Sequence, residues 1–252
     1  MSDSIRVLHV LQRMEAGGTQ AFLMNLYRNI DRTKVQFDFM VEYTAPQLYD
    51  DEIEALGGRI YRSSFREDHD LPRFRRFLRD FFVEHREYRI VHCHVYTVGY
   101  FVLKAAEDAG VPVRIAHSHN NSMSGVTVPL KLAMRRLFPV HATNLMAAST
   151  EAGKFLFGDR PFTVVKNAID VDRFRYDPSV RQEVRSELGL EGAFVVGNVG
   201  RLHQQKNQAF LLDAFAELSA VMPEARFLVV GSGPLREQLA DRARRLDIDG
   251  KT

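Results

Sequence analysis

Ile5-Arg-Val-Leu-His-Val-Leu11 is followed by Gln12-Arg-Met-Glu-Ala-Gly-Gly18 and then by Thr19-Gln-Ala-Phe-Leu-Met-Asn-Leu-Tyr-Arg-Asn-Ile30. The first run is rich in Ile, Val and Leu and reads as a buried strand. The last places Phe22, Leu23, Leu26 and Ile30 on one helical face. Between them the glycine pair makes a tight loop, so the stretch reads as a strand, a turn and a helix. The same unit recurs outward along the chain. Strands are expected at Val35–Val41, Arg59–Ser63, Ile90–Val95, Val113–His117, Leu145–Ala148 and Thr163–Val165. Helices are expected at Gln47–Leu56, stopped by Gly57-Gly58, at Leu71–Glu87, and between the strands at 90–95 and 113–117, ending near Gly110. The Leu71–Glu87 helix carries a stripe of Phe74, Phe77, Leu78, Phe81 and Phe82.

Strands alternating with helices predict an α/β fold with a parallel sheet covered on both faces. Right-handed crossovers then give a doubly wound, Rossmann-like layout, with ligands beyond the C-terminal ends of the strands. The alternation restarts after a polar stretch, Asp170–Arg185, that contains Pro178. It continues as strand Phe194–Gly200, helix Asn207–Val221, strand Ala225–Gly231 and helix Leu235–Leu246. Two strands and two helices do not close a second sheet domain. The expectation is therefore an N-terminal domain over residues 1–168 and an incomplete second Rossmann-like domain over 169–252, truncated at its C-terminus. Its uncovered apolar faces would favour self-association.

Composition bounds the function. Of 252 residues, 45% are hydrophobic and 26% charged, which is globular. Lys and Arg number 34 against 32 Asp and Glu, a net of +2 that speaks against nucleic acid as a partner. The single cysteine, Cys93, excludes an internal disulfide. Apolar runs fall short of the roughly 18 residues that span a bilayer. The N-terminus has no signal-peptide pattern, so a soluble cytoplasmic protein is expected.

Several motifs fall at strand ends. Gly17-Gly18 opens a helix, where missing Cβ atoms and free N–H groups suit a phosphate; an ordinary tight turn is the alternative. Arg201 and Lys206 lie in Gly200-Arg-Leu-His-Gln-Gln-Lys-Asn207, after a strand and before a helix. A planar fork and a point charge make a natural pair for a diphosphate, against a reading as solvated surface charge. Gly231-Ser-Gly-Pro234 either lets a backbone approach a ligand or is a plain turn. His92-Cys-His94 and His117-Ser-His119 put two imidazoles each on one side of neighbouring strand ends. They could hold a metal or simply be hydrogen-bonded strand-end histidines. The lack of a matching carboxylate or further cysteine weighs against the metal. Cys93 points to the other side, as a core residue. Arg73, Arg75, Arg76, Arg79 and Arg86 beside the aromatic stripe could meet an anionic membrane, or simply be solvated. Leu130–Phe138, with Lys131, Arg135 and Arg136, has the same two readings.

Five segments together resemble a known family. They are Arg-Val-Leu-His-Val with the Gly-Gly-x-Gln helix opening, Arg114–Asn120, Val164–Asp170, Val199–Asn207 and Leu228–Pro234. Their order and spacing are similar to those of the family-four retaining glycosyltransferases. The wording Arg-Ile-Ala-His-Ser-His-Asn is similar to that of bacterial capsular and exopolysaccharide enzymes. The resemblance implies the GT-B fold, two Rossmann-like domains facing each other with a nucleotide sugar in the cleft. It implies that Gly17 and Gly18 meet the donor phosphates and that Arg201 and Lys206 bind the diphosphate. It implies that His119, with His117 as second choice, stands near the donor sugar. It implies metal-independent, retaining transfer of a hexosyl or N-acetylhexosaminyl group to a lipid-linked or saccharide acceptor at the inner face of the membrane. Two departures stand out. Ala168 replaces the glycine usual at the linker, and the family's paired-glutamate segment does not follow the Leu228–Pro234 motif before Thr252. The chain alone is therefore expected to be inactive. The competing readings are a non-catalytic fragment that binds nucleotide or sugar, and a metal-dependent hydrolase built on His92, His94, His117 and His119.

Overall fold

A computed structural model of the chain describes residues 4–96, 98–120 and 134–252. The chain divides into two compact units, Met1–Val171 and Asp172–Thr252. The first holds β1 (Ile5–Val10), β2 (Val35–Val41), β3 (Ile60–Arg62), β4 (Ile90–Cys93), β5 (Val113–Ser118), β6 (Asn144–Ala147) and β7 (Thr163–Val164). All pair in parallel, in the order β3-β2-β1-β4-β5-β6-β7. The chain winds outward from β1 to β3, returns beside β1 as β4, and winds the other way. This is the doubly wound layout, and its point of reversal lies between β1 and β4.

The helices of this unit include α1 (Gly18–Asn29), α2 (Asp50–Ala55), α3 (Phe65–Asp68), α4 (Leu71–Glu84), α5 (Gly99–Asp108) and α6 (Thr150–Phe157). Strand alternation splits the core into two layers. Leu8, Val10, Val91 and Cys93 pack with Phe74, Leu78, Phe81 and Phe82 of α4 and Val102 and Leu103 of α5. Val7, Leu11, Phe37 and Phe39 pack on the other face with Phe22, Leu23 and Tyr27 of α1 and Ile53 of α2. Cys93 is thus a core residue, as its position in the strand implied. Near the N-terminal edge, the fully buried Asp38 accepts hydrogen bonds from Arg6 Nε (2.6 Å), the Arg59 backbone N–H (2.7 Å) and the Tyr88 hydroxyl (2.7 Å).

Several elements depart from the sequence reading. The buried face of α1 is rotated: Leu26 is exposed and Tyr27 takes its place. Tyr27 can be buried because its hydroxyl donates to Gln36 Oε1 at 2.5 Å. β4 stops at Cys93, so His94 lies just past the strand, although its N–H still bonds Val10 O at 2.9 Å. The short α3 and the longer α6 escaped the periodicity. In α6, Ser149 caps the start by accepting from the Ala152 N–H. Its interior Gly153 makes room for the Phe162 ring, which a Cβ would meet at 2.2 Å. The polar stretch contains a helix, α7 (Pro178–Glu187), with Pro178 in its first turn and Asp177 accepting from the Ser179 and Val180 N–H groups. No residue of α7 is buried, and its apolar spacing is short, Val180 and Val184. Of the Leu130–Phe138 segment, Leu130 and Lys131 lie outside the described residues, and Arg135 lies over the Phe155 ring at 5.2 Å.

The second unit pairs β8 (Phe194–Val199) with β9 (Ala225–Val230) in parallel, from Phe194↔Ala225 to Val199↔Val230. α8 (Gln208–Val221) and α9 (Arg236–Arg245) cover it. Its core is Leu212, Phe215, Ala225, Phe227, Ala243 and Ile248. Phe194, Val199 and Phe210, with Val180 and Val184 of α7, are exposed. Among the described residues no helix is long and apolar enough to cross a membrane.

Candidate functional site

The reversal point of the first sheet gathers the glycine pair and the histidines singled out at strand ends. Gly17 is the N-cap of α1 in extended conformation, and Gly18 is its first helical residue. The helix start has no side-chain cap and no acidic residue in its first turn. A Cβ at Gly18 would meet no atom within 4 Å, whereas one at Gly17 would meet only the flexible Gln20 side chain. Nothing in the described protein therefore requires a bare Cα at Gly18. Uncapped N–H groups at a helix start form an anion seat.

Below α1 lies a cluster of five imidazoles: His9, His92, His94, His117 and His119. Parallel register places His9 beside His92, and Phe22 of α1 covers His117 edge-on. His9 Nδ1 lies 3.2 Å from His94 Nε2, and His94 Nδ1 lies 2.8 Å from His119 Nε2. His92 Nε2 lies 2.9 Å from His117 Nδ1. In each neutral pair one ring donates its N–H and the other accepts. Burial first, and then mutual repulsion for most members, keeps the group uncharged. It pushes His9 and His119 down to about 3 and His117 to about 4, and holds His92 and His94 well below the ordinary histidine range. His9 Nε2 and His117 Nε2 are buried without a hydrogen-bond partner among the described residues.

The sequence had offered four of these five. His9 escaped because a lone histidine inside an apolar strand reads as core. The parity that puts it opposite Leu8 and Val10, on the same side as His92, appears only once β1 and β4 are paired. A second buried polar group went unnoticed at the end of β2. Glu42 accepts from Arg66 Nε at 2.5 Å, leaves its Oε1 unpartnered, and is pushed up by burial despite the arginine.

Arg201 and Lys206 belong to the second unit, in the loop between β8 and α8. Among the described residues neither side chain has a hydrogen-bond or ion-pair partner, and both are exposed. The Lys206 stem passes Gly200 at ordinary contact distance from where a Cβ would stand. The loop's path is fixed from its neighbour. Gly231 and Gly233 have φ of +155° and +157°, and their missing Cβ atoms would lie 2.0 Å from Gly200 O and 2.4 Å from Leu202 O. Leu202 N donates to Ser232 O at 2.8 Å, and Leu235 N donates to Leu202 O at 3.2 Å. The close approach that these glycines permit is therefore backbone on backbone, between the two loops. Gly17, Gly18 and His119 thus fall in one unit, and Arg201 and Lys206 in the other.

A third surface lies between α4 and α5, where Arg75, Arg76, Arg79 and Lys104 line a groove with Tyr100 and Phe101.

Comparison with known proteins gives matches to both units. Residues 17–157 match the family described as a glycosyl transferase 4-like domain, and residues 193–251 match glycosyl transferases group 1. EpsF of Bacillus subtilis (strain 168), assigned as a glycosyltransferase, is 36% identical over 98% of the chain and 67% of its own length. CapH of Staphylococcus aureus, named a capsular polysaccharide biosynthesis glycosyltransferase, is 22% identical over 83% of the chain and 57% of its length. Among solved structures, Anabaena HepE in complex with UDP-glucose superposes with a TM-score of 0.77 at 19% identity, over 98% of the chain and 67% of HepE.

Proposed function

The chain belongs to the glycosyltransferases of the 4-like and group 1 families, with an α/β fold of the GT-B type, and from that premise we propose that it serves retaining sugar transfer. The donor is a nucleotide sugar carrying a hexosyl or N-acetylhexosaminyl group. The acceptor is lipid-linked or a saccharide, in polysaccharide biosynthesis. CapH supports the last assignment by its name, and HepE supports the donor class by its bound UDP-glucose.

The observation that carries the reading is the pair Arg201 and Lys206, two exposed cations without partners among the described residues, in a strand-to-helix loop. In transfer, the bond from the anomeric carbon to the diphosphate breaks and the bond to the acceptor oxygen forms on the same face. The acceptor's proton passes to the leaving phosphate. Negative charge grows on that phosphate, and Arg201 and Lys206 would stabilise it from fixed positions, with no metal required. The uncapped N–H groups at Gly18 would serve the donor phosphates, and His119 the sugar.

Calorimetry with UDP tests the assignment on this chain. A lost charge-assisted hydrogen bond costs about 1.5–3 kcal/mol, so Arg201→Ala and Lys206→Ala should each weaken binding roughly 10-fold or more. His119→Ala should leave UDP affinity unchanged. Unchanged affinity in both cation variants would put the donor site elsewhere.

A cytoplasmic setting at the inner face of the membrane belongs to the same proposal. The α4–α5 groove, basic and aromatic together, would dock there; sedimentation with neutral vesicles as strong as with anionic ones would overturn this. The exposed apolar faces of α7 and β8 would join two copies of the chain. A monomer in light scattering at the highest soluble concentration would contradict that.

A further inference from the structure

We propose that the imidazole cluster under α1 is a binding site for a divalent transition ion of the Zn2+ or Co2+ class, held by ring nitrogens of His94, His117 and His119. The transfer reaction needs no metal in the reading above; the ion would take a ring nitrogen of His119, which that reading gives to the sugar, and would leave Arg201 and Lys206 untouched.

The geometry carries it. One ring nitrogen from each of His94, His117 and His119 lies within 4.8 Å of the other two, and the same holds for His9, His92 and His94. Zinc–imidazole bonds of about 2.0–2.1 Å in a tetrahedron set nitrogen–nitrogen edges of about 3.3 Å. The observed His94–His119 separation is 2.8 Å and the His9–His94 separation is 3.2 Å. Once the donor ring of such a pair has moved its proton to its other nitrogen, small ring rotations would turn both lone pairs onto one ion. His94 stands in both triads, at the centre of the cluster. In each triad two of the three rings are only partly buried, so an ion can reach them.

The state of the ligands fits as well. Metal ligation requires neutral imidazole, and burial already keeps these rings uncharged. His117 Nε2 is buried without a partner, a nitrogen that the protein itself does not satisfy. His92, pairing with His117 at 2.9 Å, is placed to orient that ligand from behind. The donor set decides the ion. The triads contain no carboxylate and no thiolate among the described residues, which suits Zn2+, Co2+, Ni2+ or Cu2+ and not Mg2+ or Ca2+.

The test uses the metal alone, on the full 252-residue chain after chelator treatment. Titration with Co2+ should give the strong visible absorption of a four-coordinate site, saturating at one equivalent. One equivalent of Zn2+ should bleach it, and excess Mg2+ should not. His94→Ala and His119→Ala should each weaken Zn2+ binding at least 10-fold, whereas His203→Ala and His69→Ala, outside the cluster, should not. Thermal melting of each variant establishes that it is folded. If His94→Ala does not fold, His119→Ala decides, since its ring is only partly buried. A weak six-coordinate Co2+ spectrum, or Zn2+ affinity unchanged in the His119 variant, overturns the proposal. UDP affinity measured on the same samples keeps failure here distinct from failure of the transferase reading.

Discussion

Asp38 has no exposed surface and gathers donors from Arg6, Arg59 and Tyr88. Its hydrogen bond to Arg6 is the main reason the guanidinium is held above its ordinary range. Burial and then Asp38 do the same for the Tyr88 phenol. Removing one charge of a buried pair leaves the other uncompensated. Asp38→Asn should cost about 3 kcal/mol, at the low end for such pairs because Arg6 keeps some exposure. Urea denaturation measures it, and a loss below about 1 kcal/mol would show that water compensates Arg6. Single residues were read from the sequence with uneven success. The places of Arg201, Lys206 and Gly18, in loops that lead from a strand into a helix, were legible from the alternation of strands and helices. His9 and Glu42 were not, because what marks them is the strand beside them.

At the scale of elements, the glycines divide into two kinds. Gly18 begins α1 with space around its missing Cβ, so Gly18→Ala should raise stability by about 0.4–1 kcal/mol. If the N–H groups there serve a donor phosphate, the same substitution should weaken binding of the nucleotide sugar. Greater stability with weaker binding would mark a functional glycine, and unchanged binding would mark a tight turn. Gly233 is the opposite case. Its φ of +157° and its contact with Leu202 O make Gly233→Ala strained, by about 1–3 kcal/mol, and should displace the 200–202 loop as well. Calorimetric melts of the two variants, together with affinity measurements, separate the kinds. The sequence did not tell them apart, since both stand in glycine-rich loops after strands. Helices divided in the same way. α4 declared itself through its aromatic stripe. α6 was obscured by a glycine packed on Phe162, and α7 by its short apolar spacing.

At the scale of the whole molecule, the imidazole cluster makes the two units unequal in acid. The folded first unit keeps its five rings neutral, with His9 and His119 down to about 3 and His117 to about 4. Unfolded, each takes up a proton near pH 6.5. The unfolded state thus binds more protons below that pH, so the stabilisation is complete above about 6.5 and drains away as pH falls toward 4. Each ring contributes a slope of up to about 1.4 kcal/mol per pH unit over that window. The second unit has no such buried imidazole; its one histidine, His203, is exposed. Hydrogen exchange at pH 7.5 and pH 5 should show protection lost from peptides of Met1–Val171 well before those of Asp172–Thr252; equal losses would mean that the rings stay protonatable in the fold. Cys93 adds a consequence of its own. It is the chain's single thiol, has no exposed surface, and is pushed up to about 12 by burial. A thiol-reactive dye is therefore a clock already built into the molecule. It stays silent while the first sheet is closed and ticks each time that sheet opens.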